Sequence, residues 1–275
     1  MTGPVHVRTR RWNPWYWDLP LAAVAAMGAI LLLQANRPLF LGFNRLSVYT
    51  GDEVWACVTI LGDALIALML FLPLVRRWPD LVWAGLLTGL LATLFVHGLK
   101  HPLHLGRPAL ILPKEQFHVI GRTYYSLAFP SGHAATGFAF VGVILLHLSN
   151  EWRYRLAGPL LALAGLISLS RIVVGAHWPL DVLAGAAGGW LAAVLGTFWA
   201  RRWPWGSTPT GRRWLTLILV GCALYALLLH GNTGYPQADT WRHILALLCL
   251  CGVAYQLWME RRSRSGIGSD RIGVE

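Results

Sequence analysis

Long apolar runs alternate with short polar connections along most of the chain, and eight of them fall near 19–35, 53–75, 81–99, 132–148, 156–174, 179–200, 214–230 and 241–259. A hydrocarbon core of about 30 Å takes roughly 20 mostly apolar helical residues. The first, fourth and seventh runs are short by that measure. The pattern predicts an all-α fold, a polytopic transmembrane helical bundle without a soluble domain, low-complexity linker or internal repeat. The first run follows Arg8, Arg10 and Arg11, as a secretory signal would. Trp12, Trp15 and Trp17 crowd its start, however, and no small-x-small cleavage site follows, so it reads as an anchor. The pairs Gly85/Gly89 and Gly185/Gly189 are small-residue packing signals between helices.

Composition agrees with the pattern: 56% of the 275 residues are hydrophobic, 13% are charged, and mean hydropathy is +0.51. A net charge of +11 invites a nucleic-acid partner, and the placement of the charges argues against one. Eight of the 23 Lys and Arg residues (37, 45, 100, 107, 114, 122, 171 and 242) fall in one set of alternate loops; the other fifteen fall in the opposite set and at the termini. Lys/Arg excess marks cytoplasmic loops, so both termini are expected in the cytoplasm. The remaining attraction is for membrane lipids with anionic headgroups. Most of the fifteen Trp lie near the ends of the apolar runs, among them Trp55, Trp78, Trp152, Trp203 and Trp241, as an interfacial belt would place them. Cys57, Cys222, Cys249 and Cys251 lie inside apolar runs without the spacing of a disulfide, metal or thiol site.

Polar residues concentrate on the charge-poor side, most of all in the connection 100–131. Three clusters meet there at one depth. They are Lys100-His-Pro-Leu-His-Leu-Gly-Arg107-Pro108, Pro130-Ser131-Gly132-His133, and Ser170-Arg171-Ile-Val-Val-Gly-Ala-His177-Trp-Pro-Leu-Asp181. Singly each has a plain explanation: snorkelling cations, a helix cap, an i,i+4 surface pair. Together they place three cations, two histidines and a carboxylate at membrane depth, where charge is costly and marks function. Such a set suits attack on a phosphate ester. Lys100, Arg107 and Arg171 can neutralise phosphoryl oxygens. Ser131 and Gly132 open a helix whose N-terminus attracts anions and approaches them closely. Asp181 can fix the tautomer of His177 and leave its other nitrogen free to attack, while His133 can protonate the leaving oxygen. Two histidines and an aspartate could instead hold zinc. Three cations in the same volume would repel a divalent ion, so the expected chemistry uses no metal and no cofactor.

The clusters resemble the three signature motifs of the type 2 phosphatidic acid phosphatase (lipid phosphate phosphatase) family, K-x6-R-P, P-S-G-H and S-R-x5-H-x3-D, over residues about 50–200. The resemblance implies that Lys100, Arg107, Ser131, Gly132 and Arg171 bind phosphate. It also implies that His177 becomes a phosphohistidine, Asp181 orients it, and His133 is the general acid. It implies a six-helix phosphatase core. The chain departs from that core with two extra C-terminal spans, so residues 1–210 are expected as the phosphatase domain and 211–275 as a helix pair with a basic cytoplasmic tail. That pair is open to packing, formation of a homo-oligomer, or lipid access. The expected protein is an integral lipid phosphatase of a bacterial inner membrane with its site facing the periplasm. Its substrate is a lipid phosphate: undecaprenyl diphosphate, phosphatidylglycerol phosphate, phosphatidic acid or a lipid A phosphate, with a lean toward a polyprenyl diphosphate. Specificity is expected from Lys114, Gln116, His118 and Arg122. Phosphotransfer to a lipid or sugar hydroxyl, or a non-catalytic lipid-binding or transport role, are the rival readings.

Overall fold

The computed structural model describes residues 14–228 and 234–269, without the side chains of 261 and 263–269. Arg8, Arg10, Arg11 and Arg271, which contribute to the charge asymmetry, and Trp12 at the start of the first apolar run lie outside the described residues. Among the described residues there are twelve α-helices and no strand. They are α1 (Pro14–Leu32), α2 (Asn36–Asn44), α3 (Leu46–Thr50), α4 (Asp52–Ile60), α5 (Ala64–Leu70), α6 (Pro79–Leu103), α7 (Pro108–Ile111), α8 (Gly132–His147), α9 (Asn150–Val173), α10 (Pro179–Arg202), α11 (Pro209–Leu228) and α12 (Asp239–Ser269). Proline opens α6, α7 and α10, where its missing N–H removes no helical bond.

Among the described residues, six helices are long and apolar enough to cross a membrane, or seven if one bent pair counts as a single span, against the eight expected. The two exceptions have local causes. The second apolar run breaks into α4 and α5, bent by 63°. Asp63 stands at the break and restarts the helix by accepting hydrogen bonds from the N–H groups of Leu65 (2.8 Å) and Ile66 (3.3 Å). The fourth run is α8, whose 16 residues begin only at Gly132 because Ser131 occupies the extended N-cap position. At 1.5 Å per residue it covers about 24 Å.

The molecule is built around α10, which packs on α8 and α6 and is flanked by α1; α9 closes on α8. The C-terminal pair joins the same apolar core: Leu215, Leu219, Ala246 and Val253 cluster with Ile66, Met69 and Leu72. Away from that core the helices are apolar outward as well, with Leu32, Leu94, Phe198, Leu217, Leu228 and Leu248 all exposed. Helices apolar on both faces belong in lipid, and the chain is an integral membrane protein. Trp78, Trp152, Trp203 and Trp241 are exposed, as belt residues are; Trp55 is instead buried and donates its indole N–H to Thr50 Oγ1 at 2.6 Å.

Candidate active site

The polar clusters lie at helix ends, and backbone hydrogen bonds lock those ends together. Helix α6 runs past Lys100 and stops at His104, which turns left-handed (φ 44°) while its N–H caps the Lys100 carbonyl. The chain then passes through Gly106 into Arg107, the N-cap of α7. Trp178 Nε1 donates to the Gly106 carbonyl at 3.0 Å, tying the third cluster to the first. The Ser131 N–H donates to the Asp181 carbonyl at 2.9 Å, tying the second to the third. Gly185 lets α10 come this close: a Cβ there would meet Ala134 Cβ at 3.0 Å and Ala135 N at 3.2 Å.

His177 sits in the tight turn between α9 and α10. Gly175 turns that corner at φ 77°, and a Cβ on it would be 2.8 Å from the His118 carbonyl oxygen. His177 is buried, and its ring Nδ1 lies 3.3 Å from Asp181 Oδ2. The same carboxylate oxygen accepts the Trp178 N–H at 2.9 Å, so Asp181 is held by the start of its own helix. With Nδ1 as the donor to Asp181, Nε2 keeps its lone pair. Burial first, then the neighbouring charges of Arg107, Arg171, Lys100 and His133, push the His177 pKa well below the ordinary imidazole range. The ring is therefore neutral, the form that can attack phosphorus.

The cations are held differently. Arg107 is 7% exposed, and its guanidinium donates to the carbonyls of Ser126 (2.8 Å), Ala176 (3.0 Å) and Leu127 (3.4 Å) and stacks over Tyr124 at 4.9 Å. It fastens the 124–128 loop to the His177 turn and leaves a fixed positive charge there. Arg171 is 3% exposed; Nη1 donates to Thr59 Oγ1 at 2.6 Å and to Tyr235 OH at 2.8 Å, while Nε is buried with no partner. Ser131 is fully buried, with Oγ 3.5 Å from the Ala134 N–H. Beside Gly132 the space is open, since a Cβ would meet only Val96 at 3.7 Å. His133, half-buried in the first turn of α8, lines a cavity of about 420 Å³ together with Asp63, Val96 and Gly132. Among the described residues no three His, Cys, Asp or Glu side chains converge as a metal-ligand group.

Three participants carried no sequence signal. Thr59 lies inside an apolar run, and Tyr235 lies far along the chain from the motifs. Asn44 gives Nδ2 to the carbonyls of His118 and Val173 (both 2.8 Å) and takes the His118 N–H at Oδ1 (2.8 Å), clamping the long loop to the end of α9. Within that loop, Gln116 accepts from Arg37 (2.8 Å) and His118 pairs with Asp52 (2.8 Å), so both side chains are engaged within the protein.

A family model described as the PAP2 superfamily matches residues 80–208, which include all three clusters. The chain carries a PAP2 domain. The resemblance read from the motifs is thereby borne out, and α11 and α12 fall outside the matched residues. Among curated relatives, a lipid A 1-phosphatase of Rhizobium etli is 35% identical over 123 residues, covering 42% of this chain and 47% of that protein. An undecaprenyl-diphosphatase of Sulfolobus acidocaldarius is 33% identical over 153 residues, or 54% of this chain and 64% of that protein. The chain thus spans about half to two thirds of the length of these relatives. The crystal structure of Aquifex aeolicus LpxE superposes with a TM-score of 0.51 at 28% identity, covering 58% of this chain and 93% of the other.

Proposed function

We propose that the chain is a metal-independent lipid phosphatase acting through a phosphohistidine at the extracytoplasmic face of a bacterial inner membrane, with both termini cytoplasmic. The observation that carries this is the buried neutral His177, oriented by Asp181 and facing a set of cations that includes an unpartnered guanidinium N–H. His177 Nε2 donates its lone pair to phosphorus as the bond to the leaving oxygen breaks, and His133 gives that oxygen its proton. Asp181 stabilises the cationic ring that forms. Water then attacks phosphorus, loses its proton to His133, and returns His177 to its neutral state as the P–N bond breaks. Lys100, Arg107, Arg171, Ser131 and the backbone at Gly132 balance charge on the phosphoryl oxygens throughout.

The names of the relatives support a lipid A phosphate or a polyprenyl diphosphate as substrate. The cavity beside His133 continues between α5, α6 and α8 past Leu68, Phe71 and Leu86, an apolar way in for a lipid chain from the bilayer. The deciding experiment is phosphate release by the purified protein in detergent with EDTA, from undecaprenyl diphosphate, phosphatidylglycerol phosphate, phosphatidic acid and lipid A, beside His177→Ala. Release that survives EDTA and vanishes in the variant is expected. Release abolished by EDTA, or kept by His177→Ala, contradicts the mechanism.

A further inference from the structure

We propose that Tyr235, supplied by the C-terminal helix pair and not by the PAP2 domain, is a positioning residue for phosphate binding: its hydroxyl and Thr59 hold one end of the Arg171 guanidinium, reserving the opposite edge for a phosphoryl group. This rests on the phosphatase reading above. The two N–H groups of Arg171 Nη1 are used, one by Thr59 Oγ1 at 2.6 Å and one by Tyr235 OH at 2.8 Å. Arg171 belongs to the matched domain, residues 80–208, and both acceptors lie outside it.

A guanidinium held at one nitrogen cannot swing, and its planar fork then presents Nε and Nη2 in the spacing of two phosphoryl oxygens. Nε is buried without a partner, an arrangement that is costly until an acceptor arrives. Tyr235 is fixed in turn. It is 2% exposed, and the Arg122 N–H donates to the preceding carbonyl, that of Gly234, at 3.0 Å. Gly121, at φ +75°, makes that approach feasible, because a Cβ there would fall on the Gly234 carbonyl and 2.7 Å from the Tyr235 ring. The turn Pro236–Ala238 then lies against α4, the helix that carries Thr59. Helix α4 and the turn before α12 form two jaws on one arginine, which gives the C-terminal pair a part in the site beyond packing.

The test is titration of inorganic phosphate into the full-length protein in detergent by calorimetry, for wild type, Tyr235→Phe, Arg171→Ala and the double variant, with thermal midpoints alongside. Losing a hydrogen bond to a charged group should weaken phosphate binding roughly tenfold in Tyr235→Phe, mostly as KM in turnover assays, with the midpoint little changed. In the Arg171→Ala background the same change should cost nothing further. Tyr235→Met, a flexible filler without a hydroxyl, should behave like Tyr235→Phe and stands in if the latter folds poorly. Wild-type phosphate affinity in these variants, or an equal loss with and without Arg171, overturns the proposal. A wild type that binds phosphate but hydrolyses no lipid phosphate overturns the phosphatase reading alone; one that binds no phosphate overturns both.

Discussion

A histidine buried among three cations loses the proton that would block its lone pair, and a carboxylate on one nitrogen decides which nitrogen remains free. In the proposed mechanism Asp181 performs that second task from a rigid place, since its Oδ2 is also bonded to the Trp178 N–H at 2.9 Å. Asp181→Asn should therefore leave substrate binding nearly intact and lower kcat by a factor on the order of 10³, because an amide can present its donor to Nδ1 and select the wrong tautomer. Steady-state kinetics on the preferred lipid would show it, and a fall confined to KM would contradict the role. The sign of the pH dependence follows from the same environment. Burial and the nearby cations lower the His177 pKa, so falling pH protonates this ring only after ordinary histidines have charged. The acid limb of kcat/KM should lie below about 6.5, the unperturbed value. An acid limb at or above that value would contradict the neutral state assigned to His177. These residues were legible in the sequence because ionisable groups at membrane depth stand out from an apolar background. Thr59 was not, since a threonine in an apolar run usually bonds within its own helix. Nor could the sequence show that Arg107 would spend its donors on the carbonyls of Ser126, Ala176 and Leu127.

Between helices, the site depends on how closely α10 can approach α8. The Gly185/Gly189 spacing was readable as a packing signal, and the structure gives it a functional consequence: the contact brings the start of α8 within a hydrogen bond of the Asp181 carbonyl. At Gly189 a Cβ would fall on the Ala135 backbone, 2.8 Å from both its Cα and carbonyl carbon, and backbone cannot turn aside as a side chain can. Gly189→Ala should cost about 1–3 kcal/mol through overpacking. It should also lower kcat, because the displaced Ala135 lies one turn from Ser131, which links α8 to the Asp181 carbonyl; a thermal midpoint and a turnover number equal to wild type would refute this. The Gly85/Gly89 pair, alike in sequence, is not alike in space. A Cβ on Gly85 would be 2.7 Å from the Phe71 ring, whereas Gly89 has nothing nearer than Leu68 at 3.9 Å. Spacing alone could not distinguish a tight seam from a gap, nor show that Asp63 would break the second span, since a single carboxylate in an apolar run is equally compatible with a straight helix facing a polar partner.

Across the whole molecule, the gap at Gly89 opens into the cavity that reaches His133, so one end of the cavity touches the proposed chemistry and the rest is apolar. Its volume of about 420 Å³ falls within the ~300–1,000 Å³ usual for ligand sites. The helical, membrane-embedded architecture was legible from the apolar runs alone. The cavity was not, because it arises from α5 leaning away after the 63° break and from α11 and α12 packing against α5 and the turn that follows it. If a lipid chain occupies this space during catalysis, filling it should harm lipid substrates alone. Gly89→Leu replaces a poor helix former with a good one and directs the new side chain into open volume, so the fold should be kept. For a long-chain lipid phosphate, KM should rise roughly tenfold, since one displaced chain segment forfeits a few methylene groups of burial at ~0.8 kcal/mol each. For a small water-soluble ester such as p-nitrophenyl phosphate, kcat/KM should be unchanged. Equal losses on both substrates would mean that the substitution has disturbed the catalytic end, and no loss on either would place the lipid chain elsewhere on the bundle.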